Sequence, residues 1–286
     1  MSYTKDFHGA EYIIVDDLKE LVKLKGSKYI EVNNNNIFTK VKKMINDDKK
    51  VLFFGLPCVV AALYSFLGER PHNLITCELI CNGPTYSKVH SDYIGYLEKK
   101  YKSKIVKFSV RYKKDSWTPL FLYAEFENGK IFKKPFYDTE YGFGFNLLAR
   151  PQCYNCKFTG DNRHGDLMIG DFWGATEKDD YWNKYGVSSI FVETTKGEEY
   201  IKAIADKVKL FPTNFEEAVK NNLRVINSRK KYDDRDNFLT LLNEKDLFYA
   251  VRHTITNKEK IKKIIKKLFP QKIINRIIKI FGIKKK

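Results

Sequence analysis

Two short apolar runs, each followed by a turn, restrict the fold more than any other feature. Residues 51–54 and 74–80 have the length and composition of buried strands, and an apolar pattern of helical period separates them. A further helical pattern covers residues 89–102. Buried strands that alternate with amphipathic helices predict an α/β layer built on a partly parallel sheet.

The middle of the chain changes to the two-residue alternation of half-buried strands. This pattern covers residues 105–112, 121–127 and 130–137, and Asn128-Gly129 is a strong hairpin turn between the last two runs. The remaining elements are predicted as strands at 28–32, 166–170 and 189–193, and as helices at 16–25, 38–46, 197–206, 215–222 and 237–251. We therefore expect an α/β fold with a mixed, partly parallel sheet flanked by helices, an inserted antiparallel hairpin region and a C-terminal helical tail.

The composition excludes several classes of protein. Hydrophobic residues make up 43% of the 286 residues, enough for a sizeable core, so a disordered chain is excluded. The N-terminal residues are polar and charged, and no stretch reaches the ~20 apolar residues that span a bilayer. We expect a cytoplasmic protein, where thiols stay reduced and clustered cysteines indicate metal binding or catalysis.

Four of the five cysteines form a pattern that suits a metal. Cys58 and Cys81 each follow a predicted buried strand, so the sheet should bring both thiols to one rim, while Cys153 and Cys156 form a C-x2-C pair. Four soft thiolates suit zinc or an iron–sulfur cluster, and spacing does not separate the two. A structural zinc, or buried apolar cysteines with one incidental pair, would fit the same spacing. Cys77 lies inside a predicted strand and is interpreted as a core residue.

The segments around these cysteines resemble motifs of one protein family. They read GSKY at residues 26–29, VLFFGLPC at 51–58 and ELICNGP at 78–84, and the C-x2-C pair is followed by DLMIGDFWG at 166–174. In sequence, order and separation they resemble the coenzyme F420 hydrogenase/dehydrogenase beta-subunit family. Leu56, Val59 and Asn82 depart from the family's usual Thr, Gln and His.

The resemblance implies an iron–sulfur oxidoreductase that transfers electrons between a [4Fe–4S] cluster and FAD. Carried over by position, the cluster ligands are Cys58, Cys81, Cys153 and Cys156. The candidate cofactor-binding residues of the motifs are Lys28, Gly55, Pro57, Asn82, Gly83, Gly170 and Asp171. A backbone turn or helix cap would account equally well for the glycines and Asp171. No catalytic residue is assigned.

The resemblance begins after the family's N-terminal ferredoxin-like region and after a Ser-Gly-Gly segment of its flavin site. We therefore expect a short form in which the flavin lies on this chain or on a flavin-bearing partner, with a redox partner protein or small electron carrier as the other reactant. Relatives of this family occur in polysaccharide biosynthesis clusters. The alternative is a non-catalytic accessory protein of cell-surface polysaccharide synthesis with a structural metal site.

The C-terminal segment, residues 258–286, differs from the predicted iron–sulfur flavoprotein domain at residues 1–257. It contains twelve Lys or Arg residues against one acidic residue, a net charge of +11 out of the chain's +17. Its isoleucines recur at helical spacing opposite the lysines, which is typical of an amphipathic helix on an anionic membrane surface. Packing on its own domain would use the same pattern. The aliphatic stripe lacks stacking aromatics, so nucleic acid is not expected as a partner.

Removing residues 258–286 should weaken binding to anionic vesicles. Each Lys or Arg near such a surface contributes roughly 1 kcal/mol of attraction. We expect the full chain, but not the chain ending at Asn257, to float with vesicles of phosphatidylserine and phosphatidylcholine. Vesicles of phosphatidylcholine alone are the control, and undiminished flotation of the shortened chain would exclude this segment as the membrane anchor.

Overall fold

The computed structural model describes residues 1–113, 116–160 and 162–255. The strands are β1 (Ser2–Tyr3), β2 (Ala10–Glu11), β3 (Val51–Gly55), β4 (Leu74–Leu79), β5 (Ile105–Tyr112), β6 (Phe121–Phe126), β7 (Ile131–Pro135), β8 (Leu167–Asp171) and β9 (Ser188–Val192). The α-helices are α1 (Ile37–Asn46), α2 (Pro57–Leu67), α3 (Ser87–Tyr101), α4 (Glu140–Leu147), α5 (Thr195–Ala203), α6 (Phe215–Val219), α7 (Arg235–Glu244) and α8 (Leu247–Thr254). The predicted mixed α/β class is confirmed.

The central sheet has the strand order β3-β4-β8-β9. Strands β3, β4 and β8 run parallel, and β9 pairs antiparallel with β8 at the edge. In the register of β3 and β4, Gly55 lies opposite Glu78. The carboxyl ends of three neighbouring strands therefore meet at one rim of the sheet.

Helices α1 and α2 cover one part of this sheet with an apolar core. Its buried residues are Tyr12, Ile37, Val41, Phe53, Val60, Leu63, Tyr64 and Leu74. Pro57 begins α2, where its fixed φ and missing N–H are tolerated, and Gly68 ends the helix in the left-handed region. Burial of these apolar side chains fixes the register of β3. A slip of one residue would turn the buried side chains of that strand towards solvent.

Strands β5, β6 and β7 form a separate antiparallel sheet inserted between β4 and β8. The turn between β6 and β7 uses Gly129 at a φ of 78°, as the Asn128-Gly129 pair predicts. This region is the inserted hairpin of the sequence analysis.

The contacts divide the chain into two compact units. The first is Met1–Tyr232 and contains all three sheets and the four cysteines of the predicted site; the second begins at Asp233. In its described part the second unit consists of α7 and α8, which pack against each other. The tail predicted at residues 258–286 lies outside the described residues.

Three predicted elements differ from the structure. Residues 28–32 form no strand. They run beside the loop after β4 and pair with it only through the bridge from Ile30 to Thr85. Residues 16–25 form a 3-10 helix, Leu18–Leu24, and the predicted apolar face is exposed, with Leu18 84% accessible. The single helix predicted at 237–251 breaks between α7 and α8, because the Asp246 side chain caps α8 by accepting a hydrogen bond from the Tyr249 N–H.

Helix α4 was not predicted from the sequence. Thr139 caps it through a hydrogen bond from the Gly142 N–H. A side chain at position 142 would lie 2.1 Å from the Phe136 carbonyl oxygen, so the close approach requires glycine there. The two glycines this helix contains weaken the pattern that identifies helices from sequence.

No helix in residues 1–113, 116–160 and 162–255 is long and apolar enough to cross a membrane.

A buried histidine lies where α3 meets the inserted sheet. His90 stacks on Tyr3 and contacts the edge of Phe108. Its Nε2 donates to the Phe7 carbonyl at 2.6 Å, and its Nδ1 lies 3.2 Å from the Tyr141 hydroxyl, which donates to the Tyr29 carbonyl at 3.4 Å. Burial lowers the pKa of His90 to about 4, which favours the neutral imidazole.

His90 should make the folded state less stable in acid. As the pH is lowered from 6.5 to 4, the unfolded chain binds a proton that the folded chain excludes. The free energy of unfolding should therefore decrease by about 3 kcal/mol over this range. The variant His90→Gln retains a donor for the Phe7 carbonyl and should flatten this slope in urea unfolding. His72→Gln, at an exposed position, is the control and should keep the wild-type slope. An unchanged slope in His90→Gln would contradict the assignment.

Candidate metal centre

Four cysteines reach the same rim of the sheet from separate segments. Cys58 is the second residue of α2, directly after β3, and Cys81 lies two residues beyond the end of β4. Cys153 lies in a 3-10 helix, Pro151–Asn155, and Cys156 follows it. The N-terminus of α2 carries a partial positive charge, which favours an anionic ligand at Cys58.

The four thiols line one pocket. The other residues around it are Pro57, Asn82, Gly83, Pro84, Arg150, Phe158, Thr159, Arg163, Arg224, Asn227, Ser228 and Arg229. Four of these are arginines, and no Asp or Glu of the described chain lines the pocket. The structure therefore gathers four soft ligands in a positively charged surrounding.

Backbone N–H groups point at two of the sulfur atoms. The Gly83 N–H lies 3.2 Å from Cys81 Sγ, and the Phe158 N–H lies 3.4 Å from Cys156 Sγ. Each donor comes from the residue two positions after the cysteine. Such donors stabilise a thiolate, because hydrogen bonds to a charged acceptor are stronger than neutral ones.

Burial and charge act in opposite directions on the thiols. Burial raises the pKa of Cys81 to about 12; the Gly83 N–H opposes this rise, and the neighbouring thiols add to it. Burial also raises the pKa of Cys153, and Arg150 opposes that rise. Arg150 Nη2 lies 3.8 Å from Cys58 Sγ. Without a metal, burial therefore favours the neutral thiols of Cys81 and Cys153, and a metal must displace their protons when it binds.

Gly83 lets the Cys81 loop approach the C-x2-C segment closely. Its φ is 81°, and a Cβ atom there would lie 3.1 Å from Cys153 Cβ and 3.2 Å from Cys153 Sγ. Any side chain at this position would be strained and would press on a predicted ligand.

A buried ion pair lies behind the pocket. Arg163 Nη1 is 3.7 Å from Glu78 Oε2, and the two side chains are 5% and 1% exposed. The other Glu78 oxygen accepts hydrogen bonds from the His164 and Gly165 N–H groups at 2.9 and 2.8 Å. Arg163 also donates to the Phe158 carbonyl at 2.9 Å, so the pair ties the chain after Cys156 to β4.

Tyr12 brings an unused donor near the thiols. Its hydroxyl is buried and has no hydrogen-bond partner among the described residues. Burial raises its pKa, and the thiols of Cys58 and Cys81 raise it further. The phenol therefore stays protonated and can donate.

The donor set fits a soft metal group. Four thiolates are the ligands of both structural zinc and iron–sulfur clusters. Among the described residues, no three His, Cys, Asp or Glu side chains converge closely enough to hold one metal ion.

Of the predicted cofactor-binding residues, the structure brings Pro57, Asn82 and Gly83 to this pocket. Lys28 lies elsewhere: its ammonium, with three N–H donors, is within hydrogen-bond distance of four carbonyls at the end of the 3-10 helix, the closest being that of Lys25 at 2.9 Å. Gly55 ends β3, where a Cβ would lie 2.8 Å from the Phe53 ring. These contacts give Lys28 and Gly55 structural roles in the described chain.

Gly170 and Asp171 lie at the end of β8. A Cβ at Gly170 would collide with the Ile80 side chain, so glycine is required for packing. Asp171 Oδ2 is 2.7 Å from Arg111 Nη1, and both side chains are largely buried. The Asp171 carboxylate is therefore engaged, whereas Nε and Nη2 of Arg111 have no partner among the described residues.

Cys77 lies apart from the other four thiols. It pairs with Phe54 on one side and Leu167 on the other, within the ladder of the sheet. Its side chain is 2% exposed, it does not line the pocket, and burial raises its pKa to about 12.

Four pocket residues of one later segment were not predicted from the sequence: Arg224, Asn227, Ser228 and Arg229. They lie about seventy residues beyond the C-x2-C pair, in a stretch without regular secondary structure. The one signal in the sequence was composition, because residues 218–232 contain five basic residues and no acidic one. That signal does not say which segment these residues approach.

Comparisons with known proteins bear on the same residues. A family model for the C-terminal part of the coenzyme F420 hydrogenase/dehydrogenase beta subunit matches residues 48–217. No curated protein sequence matches the chain. Among solved structures, a chain of the F420-reducing [NiFe] hydrogenase complex from Methanosarcina barkeri is similar at 13% identity and a TM-score of 0.44, covering 82% of this chain and 76% of that one.

The family match includes all four pocket cysteines and more than half of the chain, and it agrees with the motifs around them. The structural likeness adds no argument at that TM-score. On the strength of the sequence match, the chain belongs to the coenzyme F420 hydrogenase/dehydrogenase beta-subunit family, a family of oxidoreductase subunits.

Proposed function

We propose that this protein is an electron-transfer oxidoreductase whose four-cysteine pocket holds a [4Fe–4S] cluster. The ligands would be Cys58, Cys81, Cys153 and Cys156. The observation that carries the proposal is that these four thiols, which come from separate segments, line a single pocket. An iron–sulfur cluster supplies one-electron transfer when it is bound.

The family match, rather than the thiols themselves, supports a cluster over zinc. Four thiolates are equally the ligands of a structural zinc. The chain belongs to a family of oxidoreductase subunits, in which a redox-active group is the expected occupant of such a pocket.

The protein's own residues would stabilise this anionic group in three ways. The Gly83 and Phe158 N–H groups donate to ligand sulfurs. Arg150 places a positive charge beside Cys58. Partial burial of all four cysteines limits the access of water. Hydrogen bonds and positive charge near a cluster favour its reduced form, because reduction adds negative charge.

The second redox group would be a flavin, on this chain or on a partner protein. Asp171 and Arg111 form the polar pair at the carboxyl end of β8, the rim at which such sheets bind ligands. Nε and Nη2 of Arg111, which have no partner within residues 1–113, 116–160 and 162–255, would be available to an acceptor on a ligand. Flavin analysis of the purified chain distinguishes the two locations.

Metal and sulfide analysis of anaerobically purified protein tests the cluster. We expect about four irons and about four sulfides per chain, and loss of most of the iron in Cys58→Ala, Cys81→Ala, Cys153→Ala and Cys156→Ala. Cys77→Ala is the matched control, since it removes a buried thiol outside the pocket and should keep the iron. Zinc in place of iron would identify a structural site and support the accessory function, and a protein with neither metal nor flavin would contradict the redox proposal.

A glycine pair tests the close approach at the pocket. Gly83→Ala and Gly129→Ala both place a side chain at positive φ, at a cost of about 1–2 kcal/mol each. Only position 83 faces Cys153; position 129 has open space around it. We expect similar losses of stability in urea unfolding but loss of iron in Gly83→Ala alone. Equal iron content in the two variants would show that the contact with Cys153 does not matter.

A further inference from the structure

The pocket is closed by a segment that the family match does not include. Residues 222–229, here called the closing segment, follow α6 and lie beyond residues 48–217. Four of the sixteen pocket-lining residues belong to it: Arg224, Asn227, Ser228 and Arg229. The thiols therefore lie in the part of the chain that the family model matches. The closing segment, which follows that part, lines one side of the pocket.

Arg229 fastens two other segments through their main-chain oxygens. Its side chain is buried, and Nη1 donates to the carbonyls of Asn82 and Gly83 at 3.0 and 3.4 Å. Nη2 donates to the carbonyls of Phe145 and Asn146, at the end of α4. One guanidinium thus holds the loop after Cys81 against the helix that leads to the C-x2-C pair.

The backbone of the closing segment holds the C-x2-C pair directly. The Arg229 N–H donates to the Cys153 carbonyl at 3.2 Å. The Ser228 hydroxyl accepts from the Cys156 N–H at 2.9 Å. The Val225 carbonyl accepts from Arg163 Nη2 and from the Gly160 N–H, just after the pair. The segments that carry Cys81, Cys153 and Cys156 are therefore attached to residues 222–229.

We propose that the closing segment is a structural wall of the metal centre and that Arg229 is its positioning residue. The fork of the guanidinium suits this position, because its two terminal nitrogens donate to carbonyls on two segments at once, whereas a lysine ammonium presents its three donors from one point. Without Arg229 the Cys81 loop loses its attachment to the C-x2-C side, and the buried carbonyls of Gly83 and Phe145 lose a hydrogen-bond donor. The effect on metal retention rests on the proposed function, whereas the effect on thiol placement does not.

The test uses Arg229→Met, Arg229→Lys and the control Arg70→Met. Arg70 is exposed and packs over the Tyr64 ring, away from the pocket. In loaded protein we expect Arg229→Met to lose the visible absorption of the cluster to a chelator about 10- to 100-fold faster than wild type, the usual range for a residue that orients metal ligands. For Arg229→Lys, the logarithm of this rate should lie closer to that of Arg229→Met than to that of wild type. Arg70→Met should lose its absorption at the wild-type rate.

Thiol alkylation of the metal-free chain gives a readout that needs no cluster. We expect Arg229→Met to raise the alkylation rates of Cys81 and Cys153 by about tenfold or more and to leave Cys77 unchanged, because only the pocket loops are released. A uniform rise that includes Cys77 would indicate general unfolding and would overturn a positioning role, as would wild-type rates at all three thiols.

The two proposals fail in different ways. If wild-type protein takes up no iron, the proposed function fails, and the alkylation rates still decide the role of Arg229. If wild type holds the cluster and Arg229→Met holds it equally well, Arg229 is not a positioning residue and the cluster assignment is unaffected. Should Arg229→Met not fold by circular dichroism, Arg229→Lys decides by the same two measurements.

Discussion

Parallel pairing of β3 with β4 is the constraint on which the candidate centre depends. Gly55 and Glu78 lie opposite each other near the ends of these strands, and Cys58 and Cys81 each lie three residues beyond that pair. A shift of register by one residue would bury the wrong faces of both strands and would also move the two thiols apart along the rim. The hydrophobic core under α2 therefore helps to fix the separation of two predicted metal ligands.

A site built from loops must also satisfy the main-chain polar groups that those loops bury. Here arginine side chains do so: Arg163 and Arg229 each donate to several carbonyls next to the cysteines. Burying two guanidinium groups is costly unless they are fully hydrogen-bonded, and Glu78 compensates the charge of only one of them. Thiolates bound to a metal group would supply the compensating charge for the other. On the proposed function, the buried cation and the ligand set would stabilise each other, and folding of the loops would be linked to metal binding.

The sequence predicted the parts of this fold that depend on local pattern. The strands that end before Cys58 and Cys81 and the hairpin at Asn128-Gly129 follow from composition and turn chemistry within a few residues. Helix α4 was missed because Gly142 is required by contact with Phe136, a tertiary demand that lowers helix propensity locally. Arg229 was missed for a related reason. Its partners lie 83 to 147 residues earlier in the chain, and an arginine in a basic stretch looks like surface charge until the fold buries it. The motifs identified the family, but the surroundings of the thiols needed the structure.

The contrast between Cys77 and Cys81 shows how the same residue type is directed to different roles along one stretch of chain. Cys77 lies between β3 and β8, where both of its neighbours along the ladder hold the backbone, and its sulfur is enclosed by the core. Cys81 lies beyond the last ladder pair, where the chain turns and Gly83 allows the loop to fold back with an N–H directed at the sulfur. A ligand must approach a metal in a specific direction, and a ladder position allows only the two directions perpendicular to the sheet. Release from the ladder, rather than spacing in the sequence, therefore separates the candidate ligand from the core thiol.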